Sequence, residues 1–190
     1  HGMMVPHIAA GANLNLPVVG GILRRGGAFF LRRSFKGNNL YGAVFNEYMH
    51  MMISKGFPME YFIEGGRSRT GRLLQPKGGM LAMTLQSYMR DHSRPIVFVP
   101  IYFGYERVME GKTYVAELLG KPKEKESVFG LIKTIRSIER VFGKVHVNFG
   151  QPIYLDNLLD QQNPNWKEES AIASGKTPWV VNTVDTLSNK

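Results

Sequence analysis

An apolar segment that runs straight into a glycine-rich, arginine-loaded turn is the feature that most restricts what this chain can become. It is residues 59–71, MEYFIEGGRSRTG. Met59 to Ile63 are large, aromatic or β-branched, and Gly56 and Pro58 punctuate the chain before them, so the spacing predicts a buried strand. Glu64 stands at its end. Gly65 and Gly66 permit backbone conformations that other residues avoid and leave room for a ligand to come close. Arg67, Arg69 and Arg72 follow at once. Guanidinium forks match phosphate or carboxylate oxygens two at a time, so this grouping predicts an anion pocket at the carboxyl end of a strand.

Two other readings of the turn compete. A surface turn with solvated arginines is one. A nucleotide-binding P-loop is the other, because Gly66 to Gly71 has the G-x-x-x-x-G spacing. The P-loop reading fails at the next step, where Lys and Ser or Thr are required and the chain has Arg72 and Leu73.

With 190 residues, 43% of them apolar, the chain is expected to form one domain, with a core over about residues 5–155 and a tail from 156 to 190. It has no run of 18 apolar residues, so no segment reads as a membrane span. Without cysteine it can hold neither disulfides nor thiolate-bound metal. Charge is unevenly placed. Residues 1–79 carry ten Lys and Arg against three acids, whereas the other 111 carry fourteen against twelve. The basic half holds the glycine turn, which points to an acidic partner: nucleic acid, anionic headgroups or a phosphorylated small molecule.

Along the chain, residues 6–10 read as a short strand, 18–25 as a weak helix and 28–32 as a second strand. Apolar positions at spacings of three and four from Leu40 to Ile53, capped by Asn38 or Asn39 and stopped by Gly56, predict a long helix. Its Met49 and Met52 stripe reads as core packing. A helix from Met80 to about Arg90 follows, then a strand from Ile96 to Tyr102 with its end pinned by Pro100. Residues 121–126 read as a solvated turn and 127–142 as a helix. Val145 to Phe149 reads as a half-buried strand, and residues 156–177 as irregular or short-helical. From Trp179 a further helix begins. Because the chain opens on His1 and stops within that helix, it is expected to be a piece of a longer protein. Alternating strands and helices predict an α/β fold with a mostly parallel or mixed sheet flanked by helices.

Three separated motifs then line up. Gly27-Ala-Phe-Phe-Leu-Arg-Arg33, Phe62-Ile-Glu-Gly-Gly-Arg-Ser68 and Val99-Pro-Ile-Tyr102 resemble, in order, the second, third and fourth sequence blocks of the glycerolipid acyltransferase family. The wording of residues 6–15 and 35–38 resembles its membrane-associated bacterial branch. The resemblance covers most of residues 5–155. It implies transfer of a fatty acyl group from acyl-CoA or acyl carrier protein to the first hydroxyl of glycerol 3-phosphate, with no metal or cofactor. It also implies a place at the cytoplasmic face of the membrane, with peripheral contact to anionic lipid and no nucleic-acid partner. It assigns the substrate phosphate to Arg32, Arg33, Arg67 and Arg69, beside Gly65 and Gly66. Glu64 and Ser68 are expected to bond the glycerol or to hold the arginines in place. Val99, Pro100, Ile101 and Tyr102 are expected to line the thioester and acyl side.

One departure matters. The family's first block is His-x-x-x-x-Asp, in which the histidine takes the proton from the attacking hydroxyl and the aspartate orients it. None of the five histidines here has an aspartate five residues on. No catalytic residue is therefore assigned within the chain, and residues 1–190 alone are expected to be inactive. His7, His146 and the Asp91-His92 pair read as structural. Two rival functions remain in view: a basic nucleic-acid-binding module, and a non-catalytic lobe that docks to membrane or carrier protein.

Overall fold

The computed structural model describes residues 2, 4–32, 34–66, 72–106, 143–173 and 175–189. Three parallel strands form its first sheet. β1 (His7–Gly11) lies between β2 (Ala28–Leu31) and β3 (Met59–Glu60), with Gly11 paired to Leu31 and Ile8 to both Ala28 and Glu60. A short helix, α1 (Val19–Arg25), links β1 to β2, and a long one, α2 (Asn39–Ser54), links β2 to β3. The start of α2 is fixed where the sequence places it: the Tyr41 N–H donates to Asn38 Oδ1 at 2.9 Å, satisfying one of the amides a helix start leaves open. Phe45, Met49 and Met52 are buried, and Phe29 of β2 meets Phe45 and Tyr48. Leu40 and Val44, expected on the same apolar face, stay exposed. The fold is α/β, with a parallel sheet flanked by helices.

β3 is shorter than the apolar run suggests. Its ladder ends at Glu60, and Phe62 is 59% exposed. Beyond Glu60 the chain is drawn toward the helices instead: Tyr61 and Ile63 pack on the helical core, and the Tyr61 hydroxyl lies 3.3 Å from the hydroxyl of Thr84.

The strand expected over 96–102 is two strands. β4 (Val97–Phe98) pairs antiparallel with β7 (Ile153–Tyr154), and β5 (Ile101–Tyr105) with β6 (Val145–Phe149). Proline has no N–H to give a ladder, and the break falls at Pro100, opposite Gly150-Gln151-Pro152. One bond crosses it, from the Gly150 N–H to the Pro100 carbonyl at 2.8 Å. β6 is exposed along its whole length rather than half-buried. The turn expected at 121–126 and the helix at 127–142 lie outside the described residues.

The largest correction concerns the expected tail. The main apolar core joins α3 (Gly79–Arg90), through Leu81, Leu85, Tyr88 and Met89, to three later helices. These are α4 (Leu155–Gln162), with Leu155, Leu158 and Leu159; α5 (Trp166–Glu169), with Trp166; and α6 (Pro178–Ser188), with Val180 and Leu187. Trp166 is fully buried, stacks on Tyr88 with centroids 5.6 Å apart, and donates its indole N–H to Asp160 at 2.8 Å. Tyr88 in turn donates to Asp156, and burial together with that carboxylate pushes its hydroxyl pKa far up. His92 packs edge-on to Tyr88 and Trp166, and His7 to Phe57. No helix among the described residues is long and apolar enough to cross a membrane.

Candidate functional site

Parallel pairing sets the geometry. Because β1, β2 and β3 run the same way, their carboxyl ends point toward one edge of the sheet, the place where open α/β sheets present ligand sites. Arg32 follows the last residue of β2 at that edge, and the chain leaving β3 reaches Glu64 four residues on. With β1 between them the two ends are staggered: Leu31 pairs with Gly11, whereas Glu60 pairs with Ile8, level with Ala28, so β3 leaves the ladder three residues short of the end of β2. Arg24 and Arg25 precede β2 and so belong to its other end.

Arg32 is held in place. Its N–H donates to the Tyr41 hydroxyl at 3.1 Å, and its guanidinium lies over the Tyr41 ring, 4.8 Å from the centroid. Phe35 packs edge-on to the same ring. This cation–π contact orients the planar fork while leaving its edge N–H groups for a ligand. Tyr41 has no signal in the sequence beyond its place one turn inside the helix, where it reads as a core residue.

The glycine turn is closed at its base by two bonds. The Lys77 N–H donates to the Ile63 carbonyl at 2.7 Å, and the Leu74 N–H donates to Glu64 Oε2 at 3.0 Å. The observed bond is neither of the two roles expected for Glu64: its carboxylate accepts from a backbone N–H and fastens the loop. Gly65 has φ +56°, and a Cβ there would meet the Lys77 side chain, with Cδ at 3.0 Å and Nζ at 3.4 Å. A cation thus lies across the turn from a position the sequence reading passed over. Gly66 is exposed, and a Cβ on it would meet only Leu74 at 3.7 Å as its nearest side chain. Arg33, Arg67, Ser68 and Arg69 lie outside the described residues. Behind the turn, burial pushes the Tyr61 hydroxyl pKa up to about 12.

The expected acyl-side residues Val99, Pro100, Ile101 and Tyr102 stand at the break between β4 and β5, outside the parallel sheet. Val99, Ile101 and Tyr102 are exposed, and Pro100 lines a cleft of about 420 Å³ with Gly150, Pro152, Ile153 and Leu158. A second cleft, of about 470 Å³, runs between α2 and α3 past the Glu47–Arg90 ion pair and contains none of the expected site residues. Among the described residues, no group of three histidines or acids could hold a metal ion.

Comparison with known proteins supplies the family. Residues 2–104 match the family described as Acyltransferase, which is more than half of the chain. The chain belongs to the acyltransferase family. Residues 114–190 match the Glycerol-3-phosphate acyltransferase C-terminal region. The acyltransferase match takes in all three parallel strands, the Arg32 strand end, the glycine turn and β5 as far as Gly104. Among curated relatives, the glycerol-3-phosphate acyltransferase of Ectopseudomonas mendocina (strain ymp) is 58% identical over 190 residues, 100% of this chain and 23% of its own length. The protein of the same name from Pseudomonas putida (strain W619) is 59% identical over 187 residues, covering 98% of this chain and 23% of its own length. That from Pseudomonas aeruginosa (strain LESB58) is 58% identical over 188 residues, 99% of this chain and 22% of its own length. The chain therefore spans about a quarter of the relatives it matches.

Proposed function

We propose that this chain carries the acceptor site of an enzyme that transfers a fatty acyl group to the sn-1 hydroxyl of glycerol 3-phosphate. The observation that carries the reading is the shared direction of the strands in a member of the acyltransferase family: an arginine at the end of β2 and a glycine turn with arginines in its sequence after the parallel β3. In this reading Arg32, Arg33, Arg67 and Arg69 neutralise the phosphate, Ser68 bonds the glycerol, and Glu64 holds the loop shut. The hydroxyl oxygen attacks the thioester carbonyl of acyl-CoA or acyl carrier protein. A C–O bond forms, the C–S bond breaks, and the hydroxyl proton ends on the departing thiolate. Val99 to Tyr102 line the thioester side. Neither metal nor cofactor takes part.

The base lies outside residues 1–190, and its absence costs on the order of 10² to 10⁴ in rate. The basic surplus of residues 1–79 supports peripheral contact with an anionic membrane at its cytoplasmic face. The test is acyl transfer by the full-length protein, with labelled donor and either glycerol 3-phosphate or glycerol as acceptor. Transfer to glycerol 3-phosphate, lost in Arg67→Ala, is expected; a protein that acylates glycerol equally well would overturn the phosphate-site assignment. Residues 1–190 alone should transfer nothing measurable, and activity from them would overturn the assignment of the base.

A docking role is favoured by one observation. Ile101, Phe103, Tyr105, Val145, Val147 and Phe149 occupy one face of the β5–β6 ribbon, and all are exposed. Flotation with anionic vesicles that persists in Arg67→Ala separates that role from substrate binding.

A further inference from the structure

We infer that Lys77 is a further ligand of the acceptor's phosphate, a cation set against Gly65 of the glycine turn. The inference rests on the acceptor-site reading above and adds a residue to it. Three observations carry it.

The backbone of Lys77 is fixed to the turn. Its N–H bonds to Ile63, three residues after the Leu74 N–H bonds to Glu64, so residues 74–77 run clamped alongside 63–64 before α3 begins at Gly79. Any ligand at the turn meets Lys77 at a set height.

The side chain is directed as well. A Cβ built on Gly65 would meet Cδ, Cε and Nζ of Lys77 at 3.0, 3.6 and 3.4 Å, so stem and ammonium occupy the space a side chain at position 65 would need. Gly65 accordingly serves two ends: it takes the left-handed φ of +56°, and it gives the lysine its berth. Lys77 is exposed, so the ammonium remains reachable from solvent.

The third observation is where this places charge. Lys77 brings an ammonium to a turn whose own sequence carries Arg67, Arg69 and Arg72, and Arg32, at the end of the parallel strand β2, is anchored on Tyr41. A phosphate monoester is a compact dianion with three equivalent oxygens, each able to accept more than one bond, so a point-charge donor such as an ammonium can add to fork-shaped arginines. A guanidinium fork and an ammonium together suit such a group, whereas a planar carboxylate would be satisfied by the fork alone.

The test is kinetic, on the full-length protein, with Lys77→Met to keep the stem and remove the charge and Lys77→Arg to keep the charge. Initial rates are measured with glycerol 3-phosphate varied at saturating donor, and then with donor varied. Lys77→Met should raise KM for glycerol 3-phosphate about tenfold or more, the effect of losing one charge-assisted bond. KM for the donor and the thermal midpoint should hold, and Lys77→Arg should recover most of the loss. An unchanged KM for glycerol 3-phosphate in Lys77→Met, with active wild-type protein, overturns the role of Lys77 and leaves the acyl-transfer reading standing. Equal losses in Lys77→Met and Lys77→Arg, with a lowered thermal midpoint, overturn it in favour of a packing role. A wild-type protein that transfers no acyl group to glycerol 3-phosphate overturns the reading on which the inference rests.

Discussion

Replacing Gly65 with alanine probes the turn at its tightest described point. An L-residue in the left-handed region costs about 1–2 kcal/mol, and the glycine holds φ +56°. The new methyl carbon would stand 3.0 Å from Lys77 Cδ, inside the ~3.5–4.0 Å of an ordinary carbon contact. The obstacle is the far end of a flexible chain that can swing aside, so the steric part adds little and the total stays at about 1–2 kcal/mol. For a chain of this size that is a fall of roughly 2–8 °C in thermal midpoint. Gly27 supplies the internal standard. Its φ is +95°, and a Cβ there would stand 2.8 Å from the carbonyl oxygen of Pro6, a backbone atom just before β1. Nothing nearby can swing away, so Gly27→Ala should cost more, about 2–5 kcal/mol. Urea unfolding followed by circular dichroism on both variants measures the order. Gly65→Ala should also weaken glycerol 3-phosphate binding by displacing Lys77, and in a Lys77→Ala background it should weaken it no further. A Gly65→Ala variant as stable as wild type, or less stable than Gly27→Ala, would refute this description of the turn.

Other outcomes follow from the packing. Trp166→Ala should cost about 3–5 kcal/mol in urea unfolding, since the ring is fully buried; a cost near zero would restore the picture of a peripheral tail. Tyr61 titrates at its ordinary value near 10 when unfolded and at about 12 when folded. Its contribution is therefore complete below pH 10 and lost as pH rises toward 12, roughly 2–3 kcal/mol in all. Tyr61→Phe should flatten that loss when urea midpoints are compared across the same window, and an unchanged difference from wild type would refute it. Glu64→Gln keeps an oxygen for the Leu74 N–H while Glu64→Ala does not. If the carboxylate acts by fastening the loop, calorimetric binding of glycerol 3-phosphate should survive the first substitution and weaken in the second.

What the sequence made legible is what depends on near neighbours. The Asn38 cap, the glycine stop at 56 and the three-four spacing place α2 to within a residue, because each acts within one helical turn. Pro100 announced a break, but not that the two halves would pair with different strands, since the partners lie some fifty residues on. The apolar run from Met59 looked like a full strand; its second half was drawn away by Thr84 and the helices, competitors a local pattern does not contain. Residues 156–177 looked like a tail because they are polar on average. Yet Leu155, Leu158, Leu159 and Trp166 gather on one buried side, and Asp156 and Asp160 are spent bonding Tyr88 and the indole. At the site, Arg32 and the glycine turn were legible from residue type. Tyr41 and Lys77 were not, because what marks them is a ring beneath a guanidinium and an amine above a missing side chain.

The central claim is that one phosphate is shared between the end of β2 and the turn after β3. Calorimetric titration of glycerol 3-phosphate into the full-length protein and its Arg32→Ala, Arg67→Ala and doubly substituted forms tests it most directly. Each single change should weaken binding about tenfold or more, and the double change should fall well short of the product because both arginines hold the same anion. Wild-type affinity in Arg32→Ala beside a collapse in Arg67→Ala would contradict the account.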